Sequence, residues 1–213
     1  MNEYDIILLH PPSLYDFRRE TWFPGPIDRT VPNYTAVFMM FPVGLISIGA
    51  YLQDRGIKVK IINLAEKMAT DKDFDVEQFL QRLDSRIYGV DLHWSVHSQG
   101  SVKIAEICKK YHPDSTIVLG GLTATCFADE IVSNFQFVDC IVRGEAEEPL
   151  LQLVNSIGRT DAFQRTPNLT FLNEKREVVR TENLRVVDSL DSLDFTRLDL
   201  VEPHTRTLTS PYS

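Results

Sequence analysis

Apolar and polar residues follow one another along this chain in blocks, short apolar runs first and longer amphipathic stretches after them. Asp5–His10, Lys58–Asn63, Ile87–Leu92, Thr116–Gly121 and Val138–Val142 are the apolar runs. Runs of this length, rich in Ile, Val and Leu, predict strands buried on both faces. Val43–Arg55, Phe74–Leu83, Val102–Tyr111, Ala124–Asn134 and Glu147–Ile157 predict helices. In the second of these, Val76, Phe79, Leu80 and Leu83 recur at helical spacing. Gly56 and Pro113 stand where helices end. Strict alternation of strand and helix predicts an α/β fold, a doubly wound five-stranded parallel sheet in flavodoxin-like order.

The pattern changes after residue 158. Asn168–Leu172 and Glu177–Arg180 flank the polar stretch Asn173-Glu-Lys-Arg176 and predict a small C-terminal β-hairpin extension. The segment beyond it, Val187–Leu193 and the polar tail to Ser213, reads as a linker. The expected organisation is therefore an α/β domain over 1–158 and a hairpin with linker over 159–213.

In flavodoxin-like order a ligand sits at the switch point between strands one and three, outside the strand C-termini. Three unusual loops meet there. The first follows His10-Pro11-Pro12 and runs to Pro42, about thirty residues with many aromatics, which favours a folded lid or packing surface. The second is Asp91–Gly100, with His93, Trp94, Ser95 and His97. The third is Gly120-Gly-Leu-Thr-Ala-Thr125. Without a Cβ, Gly120 and Gly121 allow a ligand to lie on the backbone, or serve only a tight turn. His93, Trp94 and His97 fit either ligand contact or a helix start capped by Ser95 or Ser98. Thr123 and Thr125 fit helix capping or a polar ligand edge, with capping favoured. His10 is a site candidate or a strand-end histidine bonded to backbone. Arg143-Gly144-Glu145 follows strand five, and its acids suit a helix N-terminus, which leaves Arg143 unexplained.

Composition narrows the partners. There are 22 Lys and Arg against 30 Asp and Glu, a net charge of −8, which disfavours nucleic acid and anionic membrane surfaces. No run is long enough to span a bilayer and no signal-peptide pattern opens the chain, so the expected location is cytoplasmic. Cys108, Cys126 and Cys140 are widely spaced, with no metal or redox spacing; Cys108 and Cys140 read as buried apolar residues. Phosphate-loop, GxGxxG and hydrolase-elbow patterns are absent.

Four segments in order carry a family resemblance: His10-Pro-Pro12, Phe41-Pro-Val-Gly-Leu-Ile-Ser-Ile-Gly-Ala-Tyr-Leu-Gln-Asp-Arg-Gly56, Val118-Leu-Gly-Gly121 and Val142-Arg-Gly-Glu-Ala-Glu147. Together they resemble the N-terminal cobalamin (vitamin B12)-binding domain of cobalamin-dependent radical S-adenosylmethionine (SAM) proteins. The resemblance implies a corrin ring on the C-terminal sheet edge and a displaced benzimidazole tail beside the strand-four glycines. It makes Gly120 and Gly121 tail contacts and Ser95, in the Trp94–Ser98 loop, a hydroxyl contact. His10, Pro11, Trp94, Thr123, Arg143, Gly144 and Glu145 complete the candidate cofactor-binding set.

The chain departs from related patterns twice. The Asp-x-His-x-x-Gly signature of methionine synthase-like proteins is absent after strand one; Asp91-Leu-His93 copies its first half but has Val96 in place of Gly. His93 is therefore not assigned to cobalt. The Cys-x-x-x-Cys-x-x-Cys motif for a [4Fe–4S] cluster is also absent, and radical chemistry with SAM needs that cluster. The resemblance thus implies a cobalamin-binding part of a larger radical SAM enzyme, a methyltransferase or relative. This part would bind cofactor without turnover and await a C-terminal radical SAM domain with SAM and a [4Fe–4S] cluster. A flavodoxin-like regulatory or interaction module with no cofactor is the alternative.

Overall fold

A computed structural model describes residues 2–19, 41–182, 191 and 193–202. The lid expected over Pro11–Pro42 falls largely outside the described residues, as do most of the expected linker and the tail end. The order of elements is β1 (Tyr4–His10), α1 (Val43–Gln53), β2 (Val59–Asn63), α2 (Leu64–Thr70), α3 (Val76–Gln81), β3 (Ser85–Asp91), α4 (Ser98–Tyr111), β4 (Thr116–Gly120), α5 (Leu122–Cys126), α6 (Ala128–Asn134), β5 (Cys140–Val142), α7 (Glu147–Ser156), α8 (Ala162–Arg165), β6 (Leu169–Leu172), β7 (Val178–Arg180) and β8 (Val201–Glu202).

Among the described residues eight strands form one mixed sheet in the order β7-β6-β5-β4-β3-β1-β2-β8. The five expected strands lie at its centre, all parallel, with β1 between β3 and β2. The sheet is wider than five strands, because the two strands expected as a separate extension and one further strand join it. β6 pairs antiparallel with β5, and β7 with β6, so the C-terminal segment widens the sheet. β8 pairs with β2 at the opposite edge.

The apolar runs are continuous because each strand feeds two cores. Ile6 and Leu8 face the layer of α1 and α7, with Val118 and Val142; Ile7 and Leu9 face the other layer, with Tyr88, Ile104 and Leu119. Cys108 and Cys140 are buried in these cores, and burial pushes both thiols up. Among the described residues no helix is long and apolar enough to cross a membrane.

Three local expectations change. α2 was not foreseen, although Asn63 accepts a hydrogen bond from the Glu66 amide at 3.0 Å and its own amide reaches Glu66 Oε2 at 3.4 Å. That is a helix N-cap beginning at the last residue of a strand, with the Asn63 side-chain Nδ2 as the donor to Glu66. The helix expected over Ala124–Asn134 breaks at Phe127 into α5 and α6. The stretch read as linker contains β8, where Val201 is buried and Glu202 meets Lys60 at 2.6 Å and Lys67 at 2.8 Å.

Burial alone would raise the Glu202 pKa, but the hydrogen bonds from Lys60 and Lys67 outweigh it and hold the carboxyl below its usual range. A carboxyl depressed in the folded state stabilises above its unfolded pKa and loses that contribution as pH falls through the folded value. Protection of the Ile61, Ile62 and Val201 amides from exchange is therefore expected to decline as the pH drops below about 4.3. Glu202→Gln should show the reduced protection already at pH 7. Equal protection of variant and wild type at pH 7 would contradict this pairing.

Candidate functional site

The C-terminal edge of the sheet opens where β1 leads to β2 on one side and β3 continues on the other. His10 ends β1 and Asp91 ends β3, on adjacent strands. His10 Nδ1 lies 2.9 Å from Asp91 Oδ2. His10 is thus paired with a carboxylate, not with backbone. His97, from the turn at Ser95–His97, meets the His10 ring edge-on, with centroids 5.3 Å apart. His10 Nε2 is buried and has no hydrogen-bond partner among the described residues.

The two glycines of the third loop differ. Gly121 has φ +107° and ψ 178°. A Cβ there would lie 2.7 Å from the His93 amide nitrogen and 2.8 Å from Leu92 C. Only glycine suits both that conformation and that approach. The loops after β3 and β4 are tied here: the Leu92 amide donates to Gly120 O at 2.8 Å, and Thr123 N and Oγ1 both donate to His93 O. Gly120 is unlike its neighbour. A Cβ on it would meet nothing closer than Val142 O at 3.8 Å. Its bare Cα faces open space.

That space is a cavity of about 390 Å³ on the α1/α7 side of the sheet. Leu8, Gly89, Val118 and Val142 form its floor, and Leu45, Ile48 and Leu150 its helical wall. His10, Asp91, His93, Trp94, Gly121, Gly144 and Glu145 border it toward the strand ends. Its volume and its mostly apolar wall with few polar groups fit a small-molecule site, for which about 300–1,000 Å³ is usual. Glu147, nearly buried, also lines it and accepts a hydrogen bond from Ser47 Oγ at 3.0 Å, which fastens α7 to α1. Trp94 is 45% exposed at the rim and is available for ligand contact.

Six of the ten candidate residues therefore line one cavity: His10, Trp94, Gly120, Gly121, Gly144 and Glu145. The other four lie elsewhere. Ser95 and Thr123 line a separate groove between α4 and α6 on the opposite face. Thr123 does not cap α5; its hydroxyl is spent on His93 O at 2.9 Å. Thr125 is not a cap either, because its Oγ1 donates to Gly121 O and accepts from the Gly144 amide, joining the loops after β4 and β5. Neither Ser95 nor Ser98 caps the following helix; Ser98 Oγ donates to Ser95 O. Pro11 is buried and does not line the cavity, and Gly100 of α4 passes so close to the Pro12 carbonyl that a Cβ would overlap it.

Arg143 now has an account. Its guanidinium reaches Thr181 O at 2.6 Å and Leu169 O at 3.3 Å, holding β6 and the end of β7. Burial lowers its pKa, with Arg180 nearby adding to the effect. Asp91, Gly89 and Glu147 were not among the candidates. A lone glycine within an apolar strand, as at Gly89, signals close approach and was the available clue; a Cβ there would press Leu8 Cδ2 at 2.8 Å.

Comparison with known proteins gives a consistent result. A family model for the B12 binding domain matches residues 30–154. The anaerobic magnesium-protoporphyrin IX monomethyl ester cyclase of Rubrivivax gelatinosus is 31% identical over 91 residues, 41% of this chain and 16% of the cyclase. Among solved structures, the radical SAM methyltransferase TsrM from Kitasatospora setae, with cobalamin and a [4Fe–4S] cluster bound, superposes with a TM-score of 0.55 at 16% identity. It covers 90% of this chain and 31% of TsrM. The cobalamin-dependent radical enzyme OxsB, with aqua-cobalamin and SAM bound, gives a TM-score of 0.61 at 13% identity, over 86% of this chain and 23% of OxsB. At these identities the solved structures speak to the fold. The chain spans about a sixth of the cyclase's length.

Proposed function

The chain belongs to the B12 binding domain family, and from that premise we propose that it holds cobalamin with the benzimidazole tail in the cavity beneath Gly120. The carrying observation is the contrast between the two glycines: Gly121 is needed by the backbone, whereas Gly120 keeps the cavity floor clear. Flat apolar walls from Leu8, Val118, Val142 and Leu150 suit an aromatic heterocycle. Trp94, exposed at the rim, suits packing beneath the corrin. Gly144 lets the loop after β5 turn with φ +71° beside the cavity, and Glu145 edges the opening.

We read the five central strands as a flavodoxin-like unit over 1–158. Residues 159–213 are read as the extension leading to a radical SAM domain outside this chain, which would carry SAM and the [4Fe–4S] cluster. Bound cobalamin would supply methyl transfer or related radical chemistry to that parent enzyme. The residues here bind and orient it, and the apolar cavity excludes water from the tail.

Passing the chain through a desalting column after incubation with hydroxocobalamin tests this. The visible corrin spectrum should coelute with protein at close to equimolar amount. Complete separation of corrinoid from protein would overturn the reading.

A further inference from the structure

The cavity wall carries one buried polar atom that none of the described residues satisfies. His10 is 2% exposed, and Nε2 lacks a partner while Nδ1 is committed to Asp91 at 2.9 Å. A buried nitrogen left unpaired is costly, so its retention beside a cavity points to a ligand that completes it. A carboxylate on Nδ1 orients the ring and offsets positive charge on the imidazole. The other ionisable groups nearby are His97, edge-on to the ring, and His93, Glu145 and Glu147 on the cavity wall; none is hydrogen-bonded to Nε2.

We propose that His10 Nε2 shares one proton with the ring nitrogen of the cobalamin tail, making the cavity selective for tails that carry a basic nitrogen. The inference rests on the cobalamin reading above. A benzimidazole released from cobalt has an in-plane lone pair, and in an apolar slot that lone pair lacks water, as Nε2 does. A single proton between the two nitrogens satisfies both. Asp91, on the far side of the imidazole, supplies the balancing charge, so no unpaired charge is buried. Walls of Leu8, Val118 and Val142 offer the tail no competing donor.

The test compares two corrinoids on the 213-residue chain: cobalamin, and a cobamide whose tail is a phenol, flat but without ring nitrogen. Wild type should bind cobalamin about ten- to a hundredfold more tightly than the phenolic cobamide, the range of a charge-assisted hydrogen bond. His10→Phe should erase that preference, the two corrinoids then binding the folded variant within about threefold of each other. Asp91→Asn, which keeps His10, should reduce the preference without erasing it. Equal binding of the two corrinoids by wild type, or an equal loss for both in His10→Phe, overturns this inference alone. A wild-type chain that binds neither overturns the cobalamin reading with it.

Discussion

Gly121→Ala is expected to lower the unfolding free energy by about 3 kcal/mol or more, with or without a corrinoid present. Two costs add. The conformation at φ +107° and ψ 178° belongs to a region that residues with a Cβ rarely enter. The new methyl would also lie within 2.8 Å of the Leu92–His93 backbone, which cannot swing aside as a side chain can. Relief requires parting the loops after β3 and β4, and with them the bonds from Leu92 N to Gly120 O and from Thr123 to His93 O. Urea unfolding followed by circular dichroism measures the change. A loss below about 1 kcal/mol, no more than an average point substitution costs, would show that the turn is not locked in this way.

Gly120→Val should do the reverse: leave stability within about 1 kcal/mol of wild type and reduce cobalamin affinity about a hundredfold. Gly120 ends β4 with ordinary strand geometry, where a β-branched residue is at ease. Its nearest obstacles would be Val142 O at 3.8 Å and Val142 Cβ at 4.0 Å, both normal contacts. The two added methyls would project into the cavity between Val118 and Val142, where we propose that the tail lies. Equilibrium dialysis beside urea unfolding separates the effects. Unchanged affinity in a folded variant would remove the cavity from the account. The contrast with Gly121 matters for experiment, since substituting both glycines together would confound folding with binding.

Much of this arrangement was legible from residue pattern. The five central strands announce themselves because each is buried on both faces, as Ile6 and Leu8 against Ile7 and Leu9 show. Their order was legible too, and it placed the crevice between the ends of β1 and β3. The His10–Asp91 pair follows from that adjacency, yet Asp91 read as an interior strand residue. α2 was hidden because its cap, Asn63, is also the last residue of β2. β8 was hidden by its length: two residues, only one of them apolar, give no periodicity.

Site residues were harder where a loop turns over the sheet edge. The loops after β3 and β4 contribute to both faces, so Trp94 borders the cavity while Ser95, the next residue, turns to the groove beside α4. Sequence adjacency carries no sign for that turn. Arg143 was opaque for a different reason. Its acceptors, Leu169 O and Thr181 O, are backbone groups that meet it only once β6 joins β5. A basic residue beside a predicted crevice reads as a ligand contact until those carbonyls are in place.

We propose that one cavity, floored by Gly120, takes the cobalamin tail. Dialysis of hydroxocobalamin against wild type and Gly120→Val side by side tests it most directly. Saturable binding near one corrinoid per chain is expected for wild type, with little retention by the folded variant. Equal retention by the two proteins would contradict it.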